Sequence, residues 1–164
     1  MTQSQIIALV RKLIADEQAA GFTEGGNLEQ PGGTQELINY LDRAVDEVSR
    51  RKAEARDAQL LKRMTVTNGA RLPDDFLFFA GNVPVNVDAG VMSFYGAATT
   101  LPVRYFARLP YVSACPSGEL PYMKGDELTI AALAAIYALN KHEFNVSQDL
   151  MLLGMGGAVN AGQQ

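Results

Sequence analysis

Ile6, Leu9, Val10, Leu13 and Ile14 recur at intervals of three and four residues, which places them on one stripe of a helix. Thr2-Gln3-Ser4-Gln5 stands before that stripe with the spacing of a capping box: the Thr2 hydroxyl can accept from the Gln5 amide while the Gln5 side chain reaches back. The first helix, Ile6 to Ala20, is predicted to end at Ala20-Gly21, where glycine can take the left-handed conformation. Four glycines and Pro31 mark Phe22 to Gly33 as a loop. A second helix is predicted from a cap at Gly33 or Thr34, with Glu36 in its first turn and Leu37, Leu41, Ala44, Val45 and Val48 as its buried face. The stripe thins between Arg50 and Asp57 and resumes at Leu60, Leu61 and Met64. The pattern therefore predicts about 28 residues of helix, Leu37 to Met64, or roughly 42 Å. Asp46 with Arg50 and Glu47 with Arg51 stand four apart in the favourable order. A helix so long and so polar in its middle projects beyond a small core and suits contact with a neighbour.

The texture then changes. Asn68-Gly69 signals a turn. Phe76 to Ala80 is apolar, and Val83, Val85 and Val87 alternate with Pro84, Asn86 and Asp88, the period of a strand with one wet face. Pro84 confines part of it to a sheet edge. Val103 to Leu109 reads as a second strand with Arg104 on one face, and Gly90, Gly96, Pro102 and Pro110 punctuate the pieces. These features predict a small antiparallel module between helices.

Asp126 is placed to cap a third helix, and Leu128 to Leu139 carries no charge, so its faces are expected to meet protein on every side. Ser147 is placed to cap a last short helix through Leu153, and glycines at 154, 156, 157 and 162 predict a loose end. The fold class expected is mainly α with a β insertion (α+β): one domain over 1–164, with a helical bundle from 1–66 and 124–153, a β module at 67–123 and a flexible tail at 154–164. The three helical stripes need a common core.

Composition narrows the function. The chain has 164 residues, 48% hydrophobic and 20% charged, enough for a core that buries roughly 70% of the unfolded surface. A net charge of −4 and a pI near 5.0 offer no basic footprint for gripping phosphates. The basic run Arg50-Arg51-Lys52 is neutralised by Glu47, Glu54 and Asp57. The N-terminus lacks the pattern of a signal peptide, and the uncharged run Leu128 to Asn140 is too short to cross a bilayer. A soluble protein made in the cytoplasm is expected.

Candidate chemistry is sparse. Cys115 with His142, the single cysteine and the single histidine, could form a nucleophile and base. The plainer reading makes Cys115 a loop cysteine in Ala-Cys-Pro-Ser-Gly and His142 a surface residue at a helix end. Two such residues cannot close a zinc site. Asp74 and Asp75 are adjacent, so a strand would aim them at opposite faces, and after Pro73 they suit a turn. Gly154-Met155-Gly156-Gly157 follows no strand and lacks the Lys and Ser/Thr of a phosphate loop. No catalytic, cofactor or metal residue is expected, and the chain is read as a non-enzyme.

Several segments together resemble the head-to-tail adaptor (connector) proteins of tailed bacteriophages. They are Arg71-Leu72-Pro73-Asp74-Asp75-Phe76 opening the β module, Arg104-Tyr105-Phe106-Ala107-Arg108-Leu109-Pro110 as a core strand, Glu119-Leu120-Pro121-Tyr122 leading into the apolar helix, and Phe144-Asn145-Val146 starting the end segment. The likeness spans about Thr34 to Leu153 and lies in texture rather than in an invariant motif. It implies a helical ring body, a projecting β insertion and a terminal segment that reaches the portal. The implied protein is a structural part of the virion neck: a closed, twelvefold ring beneath the portal that joins head to tail and lines the DNA passage. Its implied partners are the portal protein, copies of itself and a tail or stopper protein, while the genome passes without specific binding. Candidate portal contacts are Leu150, Met151, Leu152, Leu153 and Met155, an apolar cluster flanked by glycines. Candidate ring contacts are Asp46, Glu47, Arg50, Arg51 and Glu54. Two other readings stay open, a stopper or tail-terminator ring and a small cysteine hydrolase using Cys115.

Overall fold

Helix α1 (Gln3–Leu13) starts where the capping box places it: the Gln5 amide donates to Thr2 Oγ1 at 3.3 Å, and the Thr2 amide donates to Gln5 Oε1 at 2.8 Å. The computed structural model describes residues 1–14, 31–96 and 98–141. Ile6, Val10 and Ile14 are buried as the stripe requires, whereas Leu13 is 49% exposed. Ile14 is the C-cap of α1, and the end expected at Ala20-Gly21 lies outside the described residues.

Helix α2 (Pro31–Glu54) departs from its expected bounds at both ends. It starts at Pro31, so Gly33 and Thr34 lie inside it rather than at its cap, and its first turn holds no acid. Proline suits the first helical position because its φ is already helical and its missing N–H would be unsatisfied there anyway. The helix stops at Glu54 rather than running to Met64, because Arg56 takes a left-handed φ of 57°. The Asp57 amide then donates to Lys52 O and the Arg56 amide to Ala53 O, each at 2.9 Å. That pair of bonds is a Schellman closure with arginine where glycine is usual. Leu60 lies in a 3₁₀ turn (Ala58–Leu60) capped by Asp57, and Leu61 and Met64 belong to strand β1 (Leu61–Thr67). The expected buried face of α2 is nevertheless as predicted: Leu37, Leu41, Ala44, Val45 and Val48 are all buried.

Helix α3 (Lys124–Lys141) begins two residues before Asp126, which sits with Glu127 in the first turn rather than at the cap. Ile130, Ala131, Leu133, Ala134, Ala135, Ile136 and Ala138 are buried, but Leu128 is 59% exposed, so the helix is not enclosed at its start. Among the described residues the architecture is α+β: three α-helices that pack together, and in addition two small antiparallel sheets.

The chain divides into two compact units, residues 1–45 with 111–164 and residues 46–110. In the first, α1 packs on α3, and the Arg43 guanidinium lies 4.4 Å from the Tyr137 ring centroid. The segment before α3 is tied to the N-terminus: the Leu120 amide donates to Met1 O at 2.8 Å, and the Met1 ammonium meets Glu127 Oε1 at 2.6 Å.

The second unit holds a three-stranded sheet, in which Thr100–Ala107 lies between β1 and Phe76–Phe79, and a two-stranded hairpin of Asn86–Asp88 and Val91–Ser93. The remaining strands are β2 (Phe76–Phe79), β3 (Asn86–Asp88), β4 (Val91–Ser93) and β5 (Thr100–Ala107). The strand expected at Val103–Leu109 thus begins earlier and ends before Arg108. Pro102 is tolerated in β5 because β2 pairs only with Tyr105 to Ala107, which leaves the Pro102 nitrogen on an open side. The valine alternation is only partly a strand. Val83 and Val85 are half-buried against a cluster of Val66, Met92, Phe94 and Val103, and Val87 in β3 is 43% exposed. The hairpin turn needs positive φ at two positions, met by Ala89 (48°) and Gly90 (77°). It is anchored by bonds from the Met92 amide to Ala70 O (2.8 Å) and the Leu72 amide to Gly90 O (2.9 Å).

Candidate assembly surfaces

The charged face of α2 was the sequence-level candidate for contact between copies, and its members behave differently. Glu47 and Arg51 form the expected pair, Oε1 to Nε at 2.8 Å. Asp46 faces Arg108 Nη1 at 3.5 Å instead of Arg50, because the end of β5 brings a second guanidinium to that turn of the helix. Arg50 and Glu54 are left exposed with no ion pair among the described residues. One turn further in, Ser49 is fully buried and its Oγ accepts from the Leu109 amide at 3.0 Å, joining α2 to the chain after β5.

Asp74 and Asp75 do open a turn: the Phe76 amide donates to Pro73 O at 3.0 Å. Asp75 is a hub for its unit, accepting from the Tyr105 hydroxyl at 3.1 Å and from Lys62 Nζ at 2.5 Å, while its carbonyl accepts from the Arg108 amide at 2.6 Å. Burial, reinforced by that carboxylate, pushes the Tyr105 hydroxyl above its ordinary titration range. The Asp57 carboxyl is held below its ordinary value by the Gln59 amide and then by Lys52. Asp75 and Asp57 are thus each held by hydrogen bonds and an ion pair within their own cluster.

Cys115 is a half-buried free thiol whose amide donates to Val112 O at 3.1 Å, as a turn residue does. Its proposed base His142 and the apolar cluster Leu150, Met151, Leu152, Leu153 and Met155 lie outside the described residues, as do Phe144-Asn145-Val146 and Gly154-Met155-Gly156-Gly157. Among the described residues no three His, Cys, Asp or Glu side chains are grouped to hold a metal. No described helix is long and apolar enough to cross a membrane.

Sequence reasoning missed the surface on the sheet. The register sets Arg63 of β1 directly opposite Arg104 of β5, with Leu61 opposite Phe106 next along the same face. Arg56, Arg104, Leu61, Phe78 and Phe106 line a cavity of about 240 Å³ there. A hollow of about 460 Å³ beside it takes in Arg63. The signal was present as Arg63 and Arg104 at alternate positions of two strands, but only the register shows that they meet. Comparison of the chain with protein-family models, with curated proteins and with solved structures finds no match in any of the three.

Proposed function

We propose that this chain is a structural subunit of a phage neck, a head-to-tail adaptor that closes into a ring beneath the portal, joins head to tail and lines the passage of the genome. Its partners in this reading are the portal protein, copies of itself and a tail or stopper component. The observation that carries the reading is the order of elements. Two helices come first, strand β1 follows, and Arg71 to Phe76 then leads into β2. The Arg104-Tyr105-Phe106-Ala107 segment forms the centre of the sheet, and an apolar helix follows. That is the order the adaptor resemblance implies. The surface is compatible with assembly: Leu13, Phe78, Tyr95, Met123 and Leu128 are large apolar side chains open to solvent, and Arg50 and Glu54 lack ion-pair partners among the described residues.

Contacts built on exposed ion pairs contribute roughly 0–1 kcal/mol each, so isolated copies associate weakly and close cooperatively on a template. The test is electron microscopy of the full chain mixed with portal particles, alone and after deletion of residues 150–164. Annuli seated on the portal are expected with the full chain and not with the deletion variant. Annuli placed distal to another neck protein would favour the stopper or terminator. No association with portal particles and none between copies would sink the reading. Salt should loosen any free ring, and a ring unchanged at high salt would point to an apolar interface instead.

A further inference from the structure

The arginine pair on the sheet carries a cost that no acid among the described residues offsets. Like charges directly opposite on antiparallel strands destabilise the ladder, yet Arg63 and Arg104 are exposed cross-strand partners. Four cations of this unit have acids: Lys62 has Asp75, Arg51 has Glu47, Lys52 has Asp57 and Arg108 has Asp46, whereas Arg50 and Arg71 have none among the described residues. Arg56, Arg63 and Arg104 have no acid partner among the described residues. Arg56 and Arg104 line the cavity whose apolar part is Leu61, Phe78 and Phe106, and Arg63 lines the adjoining hollow, which shares Arg104 with it. Guanidinium groups beside an apolar wall suit a carboxylate held two-pronged, next to an aliphatic side chain.

The same unit presents that combination elsewhere. The tip of the β3-β4 hairpin carries Asp88, exposed and without an ion pair among the described residues, directly across from Val91, which is 37% exposed and on the same face. The hairpin covers the Val66 and Val103 side of the sheet, whereas strand alternation puts Arg63 and Arg104 on the other side. A tip and a cavity on opposite sides of one sheet are met in a neighbour. A polyanion is the weaker candidate, because the chain as a whole is acidic at −4.

We propose that the Arg56 and Arg104 cavity on the open face of the three-stranded sheet, with the adjoining Arg63 hollow, receives Asp88 and Val91 from the β3-β4 hairpin of a second copy of this chain. The contact is heterologous, head to tail, the kind that closes rings or propagates filaments. It rests on the self-assembly reading above and specifies which surfaces meet.

Sedimentation of the full chain over a concentration series tests it, using wild type, Arg104→Glu, Asp88→Arg and an equal mixture of the two variants. Each variant alone should associate about tenfold more weakly or worse, and the mixture should recover association, because each variant's hairpin tip complements the other's cavity. Thermal unfolding followed by circular dichroism checks each fold; Arg104→Glu should melt no lower than wild type, because it turns a repulsive cross-strand pair into an attractive one. If either charge reversal fails to fold, Arg104→Gln and Asp88→Asn replace them with the same expected weakening. Wild-type association that both variants retain overturns this contact and leaves the assembly reading standing. Weakening without recovery in the mixture overturns the pairing of these two surfaces. A wild type that stays monomeric at every concentration, with and without portal particles, overturns both. Binding of a single-stranded oligonucleotide by wild type and not by Arg104→Glu would assign the cavity to phosphate and overturn the protein partner.

Discussion

Ser49→Ala tests how α2 is fastened to the end of β5. The Ser49 hydroxyl is fully buried and is the acceptor for the buried Leu109 amide at 3.0 Å. Removing it strands that amide, which costs about 1–3 kcal/mol. Against this, alanine is the better helix former by about 0.5 kcal/mol at an interior position. The balance is a net loss of about 0.5–2.5 kcal/mol, or a fall in melting temperature of roughly 1–10 °C for a chain of this size. Urea unfolding by far-ultraviolet circular dichroism gives the difference directly, provided the slope with denaturant is unchanged. Arg50→Ala, one position along the same helix but exposed and with no ion pair among the described residues, is the control and should stay within about 0.5 kcal/mol of wild type. A Ser49→Ala protein as stable as wild type or more so would show that the Leu109 amide finds another partner, and that helix propensity outweighs this bond.

Leu133→Asp should abolish the folded baseline of the helical unit, since Leu133 is 1% exposed and the charge would have no partner; a native-like spectrum with a cooperative melt would contradict the packing described. Arg56→Gly should raise stability by about 1 kcal/mol in chemical denaturation, because the C′ residue of α2 is left-handed at φ 57°, and a loss of stability would refute that account of the helix end. Burial, and then the charges of Cys115 and Asp42, push the Tyr122 hydroxyl above its ordinary 10.0. A raised folded value gives stability that is complete below pH 10.0 and drains as pH rises towards the folded value, so the alkaline loss seen in wild type should be shallower in Tyr122→Phe.

Periodicity alone determined that Leu37, Leu41, Ala44, Val45 and Val48 would be buried, that Thr2 and Gln5 would start α1, and that the fold would be α+β, because these features depend on neighbours within a few residues. The end of α2 was not legible in the same way. The apolar spacing runs on through Leu60, Leu61 and Met64, and it fits a strand as well as a helix over so short a run. What decides is a left-handed arginine and the pairing of Leu61 to Thr67 with Thr100 to Phe106, a long-range event. Asp46 illustrates the same limit, since its partner lies 62 residues away and displaces the local one. The arginine cavity is wholly tertiary in origin. Arg56, Arg63 and Arg104 each look like an ordinary solvated cation along the chain. Only the strand register and the turn after α2 bring Arg56 and Arg104 to one apolar wall with Arg63 in the adjoining hollow, where the cost of like charge becomes a reason to expect an acid.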